Sequence, residues 1–207
     1  MRLIACSLLL FGLSGFASSP CRAQTSNAAY APAVNTTAQQ ATEEVTKANW
    51  QQHPKIKAVR AVVQNVKTGL SRKSFKVRTR EFEYCEPYED GLRTLAIDAN
   101  GRVRYYEKQA GSDDSALKWE HYYDESGRLR FVFITGGAAN GSTLEHRIYF
   151  DEVGRRLWEE HKYTKGPGYT FPEVWPDKEL QRNNVNAAFA AKSPCPEKRS
   201  KKVKGKR

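Results

Sequence analysis

Three of the chain's four histidines follow a glutamate, in Glu120-His121, Glu145-His146 and Glu160-His161. Imidazole beside carboxylate supplies both acid–base catalysis and zinc ligation. Adjacent residues of a strand point to opposite faces, so none of these dipeptides can itself act as a dyad. The residues around them alternate in polarity with the period of a strand, which puts His121 and His146 on one apolar face, offset by two positions on neighbouring hairpins. Glu160 has the same parity. The three are therefore candidates to share a zinc ion or form an acid–base site, against the alternative of two hydrogen-bonded core histidines. No Gly-x-Ser-x-Gly or His-Glu-x-x-His motif accompanies them, no catalytic residue is assigned, and no cofactor or resident metal is expected.

Two further groups could act at a ligand. Asp113 and Asp114 are adjacent acids in the loop GSDDSA, able to ligate a hard cation or serve as acid and base, yet without EF-hand spacing; solvated loop acids or a helix cap are the alternative. Tyr169 and Trp175, with Trp158 and Phe171, stand near the Gly- and Pro-rich loop KGPGYTFPEVWP, as a platform for sugars or peptides or as core anchors. The glycines of TGGAANGS match no phosphate-binding loop and read as turn residues.

The elements that must position these groups follow from punctuation. Asp98, Asp124 and Asp151 each have Gly three places on and Arg four places on. Asp at the start of a type I turn bonds its own backbone, and Gly can take the left-handed conformation that closes a bulged hairpin. Before the turns one face carries Leu95, Ile97, Trp119, His121, Tyr123, Leu144, His146, Ile148 and Phe150; after them Val103, Tyr105, Leu129, Phe131, Phe133 and Trp158 are expected to continue it. A helix from Pro54 to about Gly69, with Ile56, Val59, Val62, Val63 and Val66 on one stripe, is expected to cover that face. Thr42–Gln52 reads as a short helix ending before Pro54, and the segment between Pro176 and Ala191 as a short terminal one. The expected fold is α+β: an N-terminal helical segment on a curved, meander-type antiparallel sheet of about seven strands built from DxxG hairpins.

The stretch YYDESGRL, from Tyr122 to Leu129, resembles the YD-type hairpin repeat of the Rhs family of secreted bacterial proteins, with FDEVGR from Phe150 to Arg155 as a looser copy. The likeness covers about 70 residues, Leu92 to Lys162. It implies antiparallel sheet outside the cytoplasm and no particular chemistry. Three repeats and a leading helix depart from the long arrays of that family, so a closed shell is not implied.

The ends of the chain bear on its address. Residues 1–23 read as a signal peptide, with Arg2 before the apolar run Leu3–Ala17 and small residues leading to Ala23. Residues 24–41 read as a flexible linker, 42–192 as one domain and 193–207 as a basic, disordered tail. Export leaves Cys85 and Cys195, expected as a disulfide. Of the formal net charge of +11, the leader carries two units and the last sixteen residues seven, which leaves +2 for residues 24–191. A near-neutral body with a basic tail suits an anionic envelope surface. Nucleic acid is disfavoured, since no aromatic residue interleaves the tail to stack bases. No membrane span is expected once the leader is removed.

The reading is a periplasmic or secreted binding or interaction protein of the envelope, with a glycan, lipid or protein as ligand. The alternatives are a small hydrolase or metal-dependent enzyme using His121 and His146, and an inhibitor-type interaction module.

Overall fold

A computed structural model describes residues 44–86, 91–168, 171–172, 175–176, 180 and 183–198. The expected leader and linker, Tyr169 and residues 199–207 lie outside them. The described residues all belong to one compact unit.

Among residues 44–52 the structure has turns where a helix was expected. Asn49 explains the difference. Its side chain accepts the Thr46 N–H at 2.8 Å and donates to the Glu44 carbonyl at 2.9 Å, giving the backbone an alternative to helical bonds. Helix α1, Pro54–Ser71, starts beyond it, with proline in the first turn and the His53 ring nitrogen Nδ1 accepting the Lys55 N–H at 3.2 Å. Ile56, Val59 and Val66 recur at helical spacing and are fully buried. Each such side chain contributes roughly 1.5–3 kcal/mol by leaving water.

The sheet is a seven-stranded antiparallel meander in which spatial order equals chain order. Its strands are β1 Lys76–Glu81, β2 Leu92–Ile97, β3 Val103–Gly111, β4 Ser115–Tyr123, β5 Leu129–Ala138, β6 Thr143–Phe150 and β7 Arg156–Thr164. One turn chemistry recurs at the β2–β3, β4–β5 and β6–β7 connections. The Asp carboxylate accepts backbone N–H groups two and four residues on, at 2.8–3.0 Å, and Gly101, Gly127 and Gly154 have φ of 78°, 77° and 84°. L-residues rarely adopt that conformation, which is why glycine recurs there.

Past each turn the register slips. Ala96 faces Tyr105 but Ile97 faces Val103; Tyr122 faces Phe131 but Tyr123 faces Leu129; Tyr149 faces Trp158 but Phe150 faces Arg156. One extra residue, Arg104, Arg130 or Leu157, sits on the returning strand as a β-bulge, and a one-residue slip reverses side-chain parity. The run expected to continue the first apolar face is therefore divided. Val103 and Leu129 stay with it, while Tyr105, Phe131, Phe133 and Trp158 pass to the opposite face.

That second face is the one α1 covers. Ile56, Val59 and Val66 pack with Ala96, Tyr105, Tyr122, Phe131 and Tyr149. The face of Leu95, Val132, Ile134, Ile148 and Phe150, expected beneath the helix, is covered by the C-terminal segment instead, through Phe171, Trp175, Leu180 and helix α2, Val185–Ala190, which supplies Val185 and Phe189. The bulges give both faces an aromatic and aliphatic surface, and each draws its own cover.

The C-terminal segment is tied to the first strand. Cys85 and Cys195 form a disulfide, with Cα atoms 5.5 Å apart. Beyond residue 192, Glu83 N–H donates to the Pro196 carbonyl and Lys198 N–H to the Glu81 carbonyl, both at 2.8 Å, while Arg80 holds the Glu197 carboxylate at 2.9 and 3.1 Å. Arg93, nearly buried, reaches the Ala191 carbonyl at 2.6 Å. No helix among the described residues is long and apolar enough to cross a membrane.

Candidate functional site

An open groove of about 640 Å³ crosses β1 to β5 at the end of the sheet opposite the Asp–Gly turns. Small residues leave room for it: Gly91, Ala110, Gly111, Ala116, Gly136 and Gly137 all border it. Leu92 and the half-exposed Tyr84 give it apolar surface, and Gln109, Lys118 and Thr135 supply polar groups. Gln109 faces Lys118, and Lys118 faces Thr135, so an amide, an ammonium and a hydroxyl stand in one row across three strands. Lys198, beside Glu81, lines the groove where the basic tail begins.

The next row on the same face carries charge. Glu107 and Glu120 lie directly opposite each other on β3 and β4, a pairing of like charges that destabilises a sheet unless other groups offset it. Here they do. The Tyr105 hydroxyl donates to Glu107 at 2.5 Å and lies 2.9 Å from Glu120; Tyr122 donates to Glu120 at 3.1 Å, Gln109 to Glu107 at 2.5 Å, and Lys118 pairs with Glu120 at 3.0 Å. Burial above all, and then the neighbouring carboxylates, push both phenols far above the ordinary tyrosine range, so both stay protonated donors. This network fixes the floor next to the groove, and its carboxylates hold Gln109 and Lys118 in place.

The histidines do not meet as the strand count suggested. His121 faces Val132, which faces Ile148, while His146 faces Ile134 on the near strand and His161 on the far one. With β5 between them and a two-residue offset along the strands, His121 and His146 stand about 12 Å apart. His121 is buried against Tyr106, its Nδ1 3.3 Å from the Tyr106 carbonyl oxygen. Glu160 is on the α1 face, where it accepts the Trp158 indole N–H at 2.8 Å. The bulge at Leu157 reverses parity between the turn and Glu160, so Glu159 occupies the position that the count gave to Glu160.

His146, Glu159 and His161 do come together, with potential ligand atoms within 4.8 Å of one another. His146 is fully buried, and its Nδ1 lies 3.5 Å from Glu159 Oε1. Burial lowers the His146 pKa; the Glu159 carboxylate works in the opposite direction and does not overcome it. The imidazole is therefore neutral at physiological pH.

Of the remaining predicted residues, Asp113, Asp114 and Trp175 are among those described. Asp113 and Asp114 are exposed in the β3–β4 turn; Asp114 accepts the Ser112 hydroxyl at 2.7 Å, and its carbonyl accepts the Ala139 N–H at 2.7 Å. Trp175 is buried edge-on against Trp119, with its carbonyl accepting from Arg156 at 2.8 Å, and Phe171 is buried in the same layer. Tyr169 lies outside the described residues. Reasoning from the sequence missed the groove, since only the strand pairing shows that glycines and alanines from four separate segments adjoin. Comparison with protein-family models, with curated proteins and with solved structures found no match to this chain, so its function must be read from its own residues.

Proposed function

We propose that this chain is an exported envelope protein that binds a glycan in the groove across β1–β5 and has no catalytic machinery of its own. The observation that carries the reading is the groove's composition. An exposed aromatic ring, a leucine and a row of amide, ammonium and hydroxyl groups sit on a sheet braced by a polar network, the mixed lining that recognises hydroxyl- and amide-bearing ligands. Lys118 and Lys198 favour a ligand that also carries carboxylate, as amino-sugar chains with attached peptides do. The disulfide, the leader-like N-terminus and the basic tail that follows Lys198 all suit the periplasm or the exterior. The three Asp–Gly hairpins, read as a short YD-type array, would serve as a curved scaffold whose opposite rim carries the site.

The test uses soluble peptidoglycan fragments and the full, oxidised chain. At a hundredfold excess over Kd, binding stabilises the native state by about 2.7 kcal/mol, a rise of roughly 5–10 °C in the melting midpoint. Ala116→Trp fills the groove from an exposed position on β4, and Lys118→Ala removes its central cation; either substitution should lower affinity at least about tenfold, a loss of ~1.4 kcal/mol. Unchanged affinity in Ala116→Trp would rule out the groove as the site. Absence of binding by the wild-type chain would refute the glycan reading and shift attention to a protein partner.

A further inference from the structure

We propose that His146, Glu159 and His161 form a mononuclear site for a borderline divalent metal, zinc above all, on the β6–β7 pair. His146 and His161 are direct cross-strand partners, and Glu159, two residues before His161, is on the same face. A strand pair places side chains of this parity about 5 Å apart, and here the ligand atoms all fall within 4.8 Å of one another. Modest side-chain rotation brings such a set to the 2.0–2.2 Å bonds that zinc makes with nitrogen and oxygen.

A second observation points to a missing partner. Both ring nitrogens of His146 are buried and neither makes a hydrogen bond, although imidazole enclosed in a protein normally satisfies at least one. Nδ1 lies 3.5 Å from Glu159 Oε1, too long for a hydrogen bond and suited to an ion between them. The other carboxylate oxygen, Oε2, is held by Arg156, whose second amino group donates to the Trp175 carbonyl at 2.8 Å. Arg156 thus fixes the carboxylate with Oε1 turned toward His146, the task of an outer-shell partner in a metal centre. The Tyr163 ring lies edge-on to both imidazoles and limits their rotation.

Two imidazoles and one carboxylate select against calcium and magnesium, which take oxygen ligands, and for first-row metals of the zinc type. His161 is exposed, so solvent or a small anion would complete the coordination sphere from the outer side of β7. The site lies on the face opposite α1 and shares no residue with the groove.

The experiment is titration of the full, oxidised chain with zinc alone by calorimetry, and with cobalt(II) by visible absorption. The expected result is one site lost in His161→Ala, which removes an exposed ligand and leaves the buried layers intact. Its loss of affinity should exceed the roughly 10–100-fold seen when only an outer-shell partner is removed. Glu159→Gln should weaken binding as well. His53 and His121 are unchanged in these variants, so binding elsewhere would survive the substitutions. No zinc binding by the wild-type chain, or equal binding by His161→Ala, overturns the assignment. A six-coordinate cobalt spectrum without imidazole character does so too.

Discussion

Asp124 and Asp151 close the same turn with the same two backbone bonds, yet their replacement by alanine should differ severalfold in cost. Asp124 is almost buried and, besides the Ser126 and Arg128 N–H groups, meets Arg128 Nε at 3.1 Å and Arg130 Nη1 at 3.4 Å. Arg130 is itself only 6% exposed; its other partners are the Phe150 carbonyl at 3.3 Å and the exposed Glu152 at 3.8 Å. Asp124→Ala therefore strands a buried guanidinium as well as opening the turn, and breaking a buried pair from one side costs about 3–5 kcal/mol. Asp151 pairs with Arg155, whose side chain is 79% exposed, and Leu157 stands where Arg130 stands in the preceding repeat. Asp151→Ala should cost only what an exposed cap costs, about 0.5–2 kcal/mol. For a body of this size the midpoints of thermal unfolding, followed by circular dichroism without reductant, should fall by roughly 10 °C and roughly 4 °C respectively. Adding Arg130→Leu to Asp124→Ala should recover part of the loss, because the unpaired charge goes with it. Equal losses from the two alanine variants, or no recovery in the double variant, would refute the buried-arginine account.

Three more outcomes follow from the same contacts. Reduction of Cys85–Cys195, which are separated by 110 residues, should lower stability by about 4–5 kcal/mol in the chain-entropy model, seen as a lower urea midpoint with reductant present. Phe189→Ala empties a ring that is 2% exposed against Leu95 and Tyr106, and should cost about 3–5 kcal/mol by the same assay while leaving α1 in place. In acid, burial works to raise the pKa values of Asp124 and Asp151, but the backbone N–H groups and arginines that hold the carboxylates outweigh it and keep both below the usual carboxylate range. The unfolded chain then binds more protons than the folded one as pH falls past about 4, so stability is full above that value and declines through the folded pKa values. Asp124→Ala should flatten that acid limb, and an unchanged pH profile would contradict the assignment.

How much of this was legible depends on what lies between two residues. Within one strand, alternation places neighbours reliably, and Leu95, His121, His146 and Ile148 do share a face. Across a turn the count depends on the bulge, and one unpaired residue sends Glu160 to the helix side and brings Glu159 to His146. The signal was present, because the turn motif foretells a bulged hairpin, and carrying the extra residue through the count would have placed Glu159 correctly. The cover of the first face was not legible: Phe171, Trp175, Leu180, Val185 and Phe189 are dispersed over 19 residues without strand or long-helix periodicity. Cys85 and Cys195 were legible as a pair because the leader expected at residues 1–23 holds the other two cysteines.

The order of the strands has a consequence for a chain that is synthesised N-terminus first. Each hairpin can zip onto the one before it as soon as it appears, and α1 is already present to cover its face, so the early steps need only local contacts. The opposite face has no such companion until residues 171–189 arrive, and Leu95, Val132, Ile134 and Ile148 stay open to water and to other chains during that interval. Cys195 comes last of all. The covalent lock between Cys85, just past β1, and the segment behind the second cover can form only after residues 171–189 have appeared, so the disulfide seals a body whose two faces can both already be covered.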